Sequence, residues 1–139
     1  KHLGPRQYTA IGLAMLTVDR FVSISADFKA GKLLTRPMTW PGGDLMLNAS
    51  TTRNLDGYPL EGGGLMAIEV LDQKGDPVDG FSRDQRAVFD GNVPCRSDAR
   101  HSATIRWPAD RSINELAGRR IKLVFHMRDS HLYSFRSSG

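Results

Sequence analysis

The sequence predicts an all-β protein, a two-sheet antiparallel β-sandwich of jelly-roll-like form, and three observations support this prediction. Apolar and polar residues alternate in many short segments, which is the period of a strand with one buried face. Glycine, proline, asparagine and aspartate separate these segments as turn residues. No segment keeps a helical period over the roughly ten residues or more that a stable helix needs. Roughly eight to ten short strands in two packed sheets are therefore expected.

The clearest alternation lies close to the C-terminus, in residues 119–136. Its first half places four apolar side chains on one face, namely Ile121, Leu123, Phe125 and Met127. Residues 128–131 then interrupt the pattern with polar side chains, before Tyr133 and Phe135 resume it as expected core anchors. This order predicts a β-hairpin. A hairpin is marginal alone, so its last strand is expected to pair with distant sequence.

The N-terminal half supplies the first strands. Residues 1–9 are polar and lack a period, which predicts a linker or edge segment from a preceding domain, and residues 10–139 are predicted to form the sandwich domain. Four strands are expected, at residues 11–16, 21–26, 32–38 and 45–49. Pro37 cannot donate to a ladder, which indicates an edge position or a bulge in the third of them. Residues 40–44 contain Gly42 and Gly43 and predict a chain reversal.

Residues 50–64 form a long polar interval that is predicted to be a mobile loop. The remaining strands are expected after it. A strand follows with Met66, Ile68 and Val70 inward, and residues 72–76 predict its turn. Four apolar anchors are expected in the weakly patterned segment 77–98, namely Val78, Phe81, Val88 and Phe89. Residues 101–107 predict another strand. One short helical turn is predicted near 112–117, capped by Asp110 or Ser112 and ended by Gly118.

Charge and cysteine content exclude several classes of protein. The net charge is +4, and Arg119 and Arg120 form the only adjacent basic pair, which favours a solvated, mildly basic surface over a nucleic-acid interface. The longest apolar run, residues 11–16, is too short to span a bilayer, so no membrane partner is expected. Cys95 is the only cysteine, which excludes an internal disulfide and a cysteine-based zinc site.

The start of the sequence bears on its origin. The chain opens on Lys1 without a secretory signal pattern and is interpreted as an excised piece of a longer protein. Its compartment stays unassigned, with a secreted or periplasmic parent as an open alternative.

No residue pattern assigns a catalytic role. Two aspartate pairs are close in sequence, Asp72 with Asp76 and Asp79 with Asp84, but each pair lies in predicted turns, where aspartate is common for its local hydrogen bonds. His126 and His131 would face each other across the predicted hairpin without an obvious third ligand, which makes a metal site weak. Catalytic and metal-ligating residues are therefore left unassigned.

Sugar binding is the site hypothesis that the sequence leaves open. Sugar rings stack on exposed aromatic side chains, and the candidates are Trp40 and Tyr58, both in predicted loops. Trp40 has an alternative role as a cap on the end of the core, whereas Trp107 is expected inside the core. No cofactor is predicted, with calcium held by Asp56 or Asp90 as an open alternative.

Short motifs occur in a consistent order and spacing over nearly the whole chain. They are Ile11-Gly12-Leu13-Ala14, Asp19-Arg20-Phe21-Val22-Ser23, Leu34-Thr35-Arg36-Pro37, Leu45-Met46-Leu47-Asn48-Ala49, Val70-Leu71-Asp72, Gly80-Phe81-Ser82, Leu116-Ala117-Gly118-Arg119 and Leu132-Tyr133-Ser134-Phe135. In these motifs the chain resembles the C-terminal β-sandwich module that follows the five-bladed β-propeller in bacterial proteins similar to glycoside hydrolase family 32. It departs from that family at residues 83–94, where an acidic cluster followed by Gly-Asp is expected.

The resemblance implies an antiparallel sandwich and a parent enzyme that acts on glycans. In such enzymes the catalytic carboxylates lie in the propeller, and no propeller motif occurs in this sequence. The resulting hypothesis is a non-catalytic accessory domain of a glycoside hydrolase, whose partner is the preceding catalytic domain. The alternative hypothesis is an autonomous carbohydrate-binding module that binds a polysaccharide.

Overall fold

The computed structural model describes residues 24–27, 29–51, 53–55, 58–60, 64–89 and 102–139. Eleven strands lie within these ranges: β1 (Ile24–Ala26), β2 (Gly31–Leu34), β3 (Met38–Thr39), β4 (Leu45–Ser50), β5 (Arg53–Leu55), β6 (Tyr58–Leu60), β7 (Leu65–Asp72), β8 (Ala87–Phe89), β9 (Ala103–Ile105), β10 (Arg120–Arg128) and β11 (Ser130–Ser137). Short 3-10 helices lie at Arg83–Gln85, Pro108–Asp110 and Ile113–Leu116.

The strands form two antiparallel sheets that pack face to face. The four-stranded sheet has the order β1-β11-β4-β9, and the five-stranded sheet has the order β2-β10-β7-β8, with β3 also paired to β10. Strands β5 and β6 form a separate two-stranded sheet. The predicted two-sheet antiparallel sandwich is confirmed.

The core lies between the two sheets and is built from the predicted inward faces. On β10, Leu123 and Phe125 are fully buried, and the register sets them beside Val70 and Ile68 of β7. The facing sheet contributes Leu45, Leu47 and Ala49 of β4, which are also fully buried. Alternating apolar residues on central strands thus fill the space between the sheets, as the sequence predicts.

The two C-terminal strands do not form the predicted hairpin. Strand β10 pairs with β2, β3 and β7 in one sheet, while β11 pairs with β1 and β4 in the other. Asp129 joins them with a positive φ of 44°, so the chain crosses from one sheet to the other at this residue. Each strand thereby lies inside its own sheet and is paired along both edges. The predicted pairing of the last strand with distant sequence is confirmed by β4.

A bulge in β11 changes which of its side chains face the core. The register shifts between Leu132 and Ser134, so one extra residue, Tyr133, stands in the strand. This insertion reverses the alternation and places Leu132 and Phe135 on the same inner face. Phe135 packs on Phe125 with ring centroids 5.4 Å apart, which confirms it as a core contact. Tyr133 is half-buried and stacks on His131 instead, so its prediction as a core anchor is wrong.

The N-terminal predictions have mixed outcomes. The strand predicted at 11–16 and the segment 1–9 lie outside the described residues, and β1 covers the end of the strand predicted at 21–26. The strand predicted at 32–38 is divided into β2 and β3 around Pro37, as expected of a residue that cannot donate to the ladder. Gly42 and Gly43 adopt positive φ angles of 108° and 76°, which confirms the reversal before β4.

The predictions for residues 50–118 are confirmed in part and corrected in part. Part of the loop predicted at 50–64 forms the β5–β6 pair instead. Val78 and Phe81 are buried as predicted, but Val88 is exposed because it points outward from the short strand β8. The helical turn is confirmed at Ile113–Leu116, where Ser112 accepts a hydrogen bond from the Asn114 N–H as its cap.

Candidate functional site

The outer face of the five-stranded sheet differs from an ordinary solvated surface. Strand alternation and register place two rows of side chains across it. One row runs from Leu34 on β2 through Val124 on β10 to Glu69 on β7. The next row comprises Lys32, His126, Ala67 and Val88. Aliphatic and charged side chains therefore alternate over one continuous sheet face, which is called the outer face below.

Three aliphatic side chains on the outer face are exposed to solvent. Leu34 is 54% exposed, Val88 62% and Leu65 37%. Between them, Val124 and Ala67 are buried although they also point away from the core. Surface aliphatics scattered singly are normal, and three of them around a buried apolar centre make the outer face the candidate site of the described residues.

A buried carboxylate lies beside these side chains. Glu69 Oε1 is 2.8 Å from His126 Nε2 and 3.7 Å from Arg86 Nη2, and the Arg83 N–H donates to Glu69 Oε2 at 3.1 Å. Glu69 is buried. Its partners come from β10, which carries His126, and from the segment between β7 and β8, which carries Arg83 and Arg86. Because both oxygens have partners, the carboxylate is held in place and its charge is balanced by neighbours.

The electrostatics of Glu69 follow from these contacts. Burial would raise the pKa of the Glu69 carboxyl, but the hydrogen bonds from the Arg83 N–H and His126 and the nearby Arg86 charge outweigh burial. They hold the pKa of this group below its usual value of 4.5. Glu69 is therefore ionised at neutral pH and unsuited to the role of a protonated general acid.

Acid titration of the Glu69→Gln variant should isolate this contribution. Because the pKa of Glu69 is lower in the folded chain than in the unfolded chain, its ionised form stabilises the fold above about pH 4.5, and this stabilisation is lost as pH falls through the lowered value. The Tm of the native chain should consequently fall more steeply than that of Glu69→Gln between about pH 5 and 3. Parallel Tm curves over this interval would show that the Glu69 contacts do not form.

Four further cations lie along the outer face without an ion partner among the described residues. They are Lys32 on β2 together with Arg120, Lys122 and Arg128 on β10. Glu69 is the only carboxylate among the described outward-facing residues of these strands. The outer face is thus basic as well as partly apolar.

The structure places the two sugar-binding candidates differently. The Trp40 ring is only 2% exposed, and its Nε1–H donates to the Gly43 carbonyl at 3.1 Å. The buried indole caps the end of the core and offers no open face for sugar stacking. Tyr58 lies at the start of β6, and its side chain is outside the described part of the chain. Of the two candidates, Trp40 is therefore unsuited to stacking on a sugar ring, and Tyr58 remains a prediction.

The aspartate pairs lie in or beside turns: Asp72 ends β7 and precedes a turn, and Asp79 lies in a turn. Asp84 lies in the 3-10 helix Arg83–Gln85 rather than in the predicted turn. The Asp72 carboxylate accepts from the Lys74 and Asp76 N–H groups at 2.8 and 3.0 Å, and these backbone bonds, that of Asp76 foremost, lower the pKa of Asp72. Asp79 and Asp84 line one hollow of about 250 Å³, but both side chains are exposed to solvent. Neither pair has the apolar surround that keeps a glycosidase acid protonated.

The structure does not bring His126 and His131 together as metal ligands. His126 and His131 lie on different sheets rather than across a hairpin. Among the residues that the structure describes, no group of three or more His, Cys, Asp or Glu side chains could hold a metal ion. Asp56 and Asp90, the calcium candidates, lie outside those residues.

The described ranges also contain no helix long and apolar enough to cross a membrane.

Sequence reasoning missed Glu69, Arg86 and the exposed aliphatic group. Glu69 reads as an ordinary outward residue in the alternation of β7, and His126 follows it by 57 positions. The available signal was a charged residue in the middle of the otherwise apolar run of residues 65–71. Such a residue requires a partner from another strand if it is buried.

Comparisons with known proteins give no relative for this chain. No protein-family model, no curated protein and no solved structure matches it.

Proposed function

We propose that this chain is a non-catalytic β-sandwich accessory domain of a glycan-processing enzyme of the glycoside hydrolase type, and that it docks on the catalytic domain through the outer face. The glycan context comes from the sequence resemblance to modules that follow a β-propeller. The exposed aliphatic group on the outer face is the observation that carries the docking role.

The aliphatic side chains supply a driving force for association. Leu34 and Val88 each expose more than half of their surface. Covering such a side chain contributes about 1 kcal/mol through the hydrophobic effect. Because the buried Val124 and Ala67 already lie between them, a partner surface would complete a continuous apolar contact across the sheet.

The charges of the outer face are compatible with being covered. Glu69 already has His126, Arg86 and a backbone N–H as partners, so a docked domain would not leave this carboxylate unpaired. Lys32 and Lys122 are free to meet acidic groups at the rim of the contact.

Docking is tested with the chain and propeller domains from bacterial proteins similar to glycoside hydrolase family 32. We expect a one-to-one complex in size-exclusion chromatography, and a loss of affinity of about tenfold or more for the Val88→Asp variant, which places a charge in the apolar contact. The matched control is Ile24→Asp, since Ile24 is also exposed but lies on the edge strand β1 of the other sheet. The control should bind as the native chain does.

Two results would contradict the proposal. Equal loss of affinity in Val88→Asp and Ile24→Asp would show that the outer face is not the docking surface. Absence of a complex, together with saturable binding of a soluble glycan, would support the carbohydrate-binding module instead. For that alternative the structure offers the stacked His131 and Tyr133 rings, whose centroids are 6.2 Å apart on the four-stranded sheet.

A further inference from the structure

A groove opens at one end of the outer face, where β2, β10 and β7 lie side by side. Its volume is about 400 Å³, within the range of small-molecule sites. It is lined by Ala30, Gly31, Lys32, Leu65, His126, Met127 and Arg128. The register explains the grouping, because Lys32 pairs with His126 and Leu65 pairs with Arg128 across neighbouring strands. This cavity is called the Lys32–Arg128 groove below.

Two exposed aliphatic side chains, Ala30 and Leu65, flank the Lys32–Arg128 groove. The Met127 side chain, in contrast, is buried in the core between the sheets. Ala30 has a positive φ of 64°, which marks the tight turn that leads into β2 beside the groove. An aliphatic body of a ligand would therefore be in contact with apolar surface on both sides.

The charges of the Lys32–Arg128 groove are unbalanced. Lys32 and Arg128 form no ion pair with a described residue. His126, the third basic side chain of the groove, contacts Glu69 at 2.8 Å, so Glu69 is committed to His126, Arg83 and Arg86 and does not neutralise the other two. An incoming anion would thus meet two available cations without competing against a bound carboxylate.

From this combination we infer that the Lys32–Arg128 groove binds a small aliphatic monocarboxylate. The carboxylate lies between the Lys32 and Arg128 side chains, and the hydrocarbon chain lies against Leu65 and Ala30. Arginine binds a carboxylate through two parallel N–H donors, and lysine adds a point charge. The inference is drawn from the groove and not from the proposed docking role, although the groove shares Lys32 and Leu65 with the outer face.

Octanoate is the probe for this inference, and its binding to the full chain is followed by calorimetry and by amide chemical shifts. We expect saturable one-to-one binding with shifts centred on residues 30–32 and 126–128. Lys32→Ala and Arg128→Ala should each weaken octanoate binding about tenfold, the loss expected for one charge-assisted contact. Leu65→Asp should abolish saturable binding, because it removes aliphatic surface and places a competing carboxylate in the groove.

The matched control is Lys122→Ala, which removes a cation from the same face of β10 but outside the groove. Lys122→Ala should bind octanoate as the native chain does, and octanol and acetate should each bind at least about tenfold more weakly than octanoate. Near-ultraviolet circular dichroism checks that every variant is folded. The inference is overturned by non-saturable binding, by an equal loss in Lys122→Ala, or by octanol binding as tightly as octanoate.

Discussion

Replacing Phe125 with alanine is expected to lower the free energy of unfolding by about 3 to 5 kcal/mol. Phe125 is fully buried at the centre of β10, where it pairs with Ile68 of β7 and Leu33 of β2. Its ring also packs on Phe135 of the opposite sheet, 5.4 Å between centroids. The substitution therefore removes hydrophobic burial and leaves a cavity between the two sheets, and both effects destabilise the fold.

Urea denaturation of Phe125→Ala measures this loss, with Leu34→Ala as the control. Leu34 lies on the adjacent strand but is 54% exposed on the outer face, so its truncation should cost about 1 kcal/mol or less. A loss well under 1 kcal/mol for Phe125→Ala would show that the inner and outer faces of β10 are inverted.

Replacing Trp107 with alanine should be about as damaging, at roughly 3 to 5 kcal/mol. Trp107 follows β9 and is 2% exposed. Its ring packs on Phe81 with centroids 5.4 Å apart, and its Nε1–H donates to the Ile68 carbonyl at 3.2 Å. The side chain thus joins the segment after β9 to β7 of the five-stranded sheet.

The Trp107→Phe variant separates packing from hydrogen bonding. Phenylalanine keeps an aromatic ring against Phe81 but loses the indole N–H, so we expect a loss of about 1 to 2 kcal/mol. Urea denaturation of Trp107→Phe and Trp107→Ala measures the free energy of unfolding that each variant loses. Equal losses for Trp107→Phe and Trp107→Ala would show that the hydrogen bond to Ile68, rather than ring packing, dominates at this site.

The predicted strand faces agree with the structure because they depend on local alternation alone. Leu123 and Val70 were placed inward by this pattern, and both are buried. The sheet to which a strand belongs depends on distant partners, so the sequence could not show that β10 and β11 lie in opposite sheets. The bulge at Tyr133 was equally hidden, because one extra residue reverses the alternation without changing the composition.

The candidate site was harder to predict than the core. Glu69 and His126 are brought together by the β7–β10 register, and each looks like an ordinary outward residue in its own strand. Val88 was predicted to be a core anchor, but β8 is a short edge strand, and Ala87 and Phe89 take its inner positions. Alternation therefore assigns the faces of the long strands β7 and β10, whereas in the short edge strand β8 the pairing with β7 decides that Val88 points outward.

The proposed docking role is tested most directly by methyl NMR spectra of the Ile, Leu and Val side chains during titration with a propeller domain. If the domain docks through the outer face, the methyl signals of Leu34, Leu65 and Val88 should shift on binding. The signal of Ile24, exposed on the edge of the other sheet, should not move. Shifts at Ile24 with unchanged signals from Leu34 and Val88 would contradict docking through the outer face.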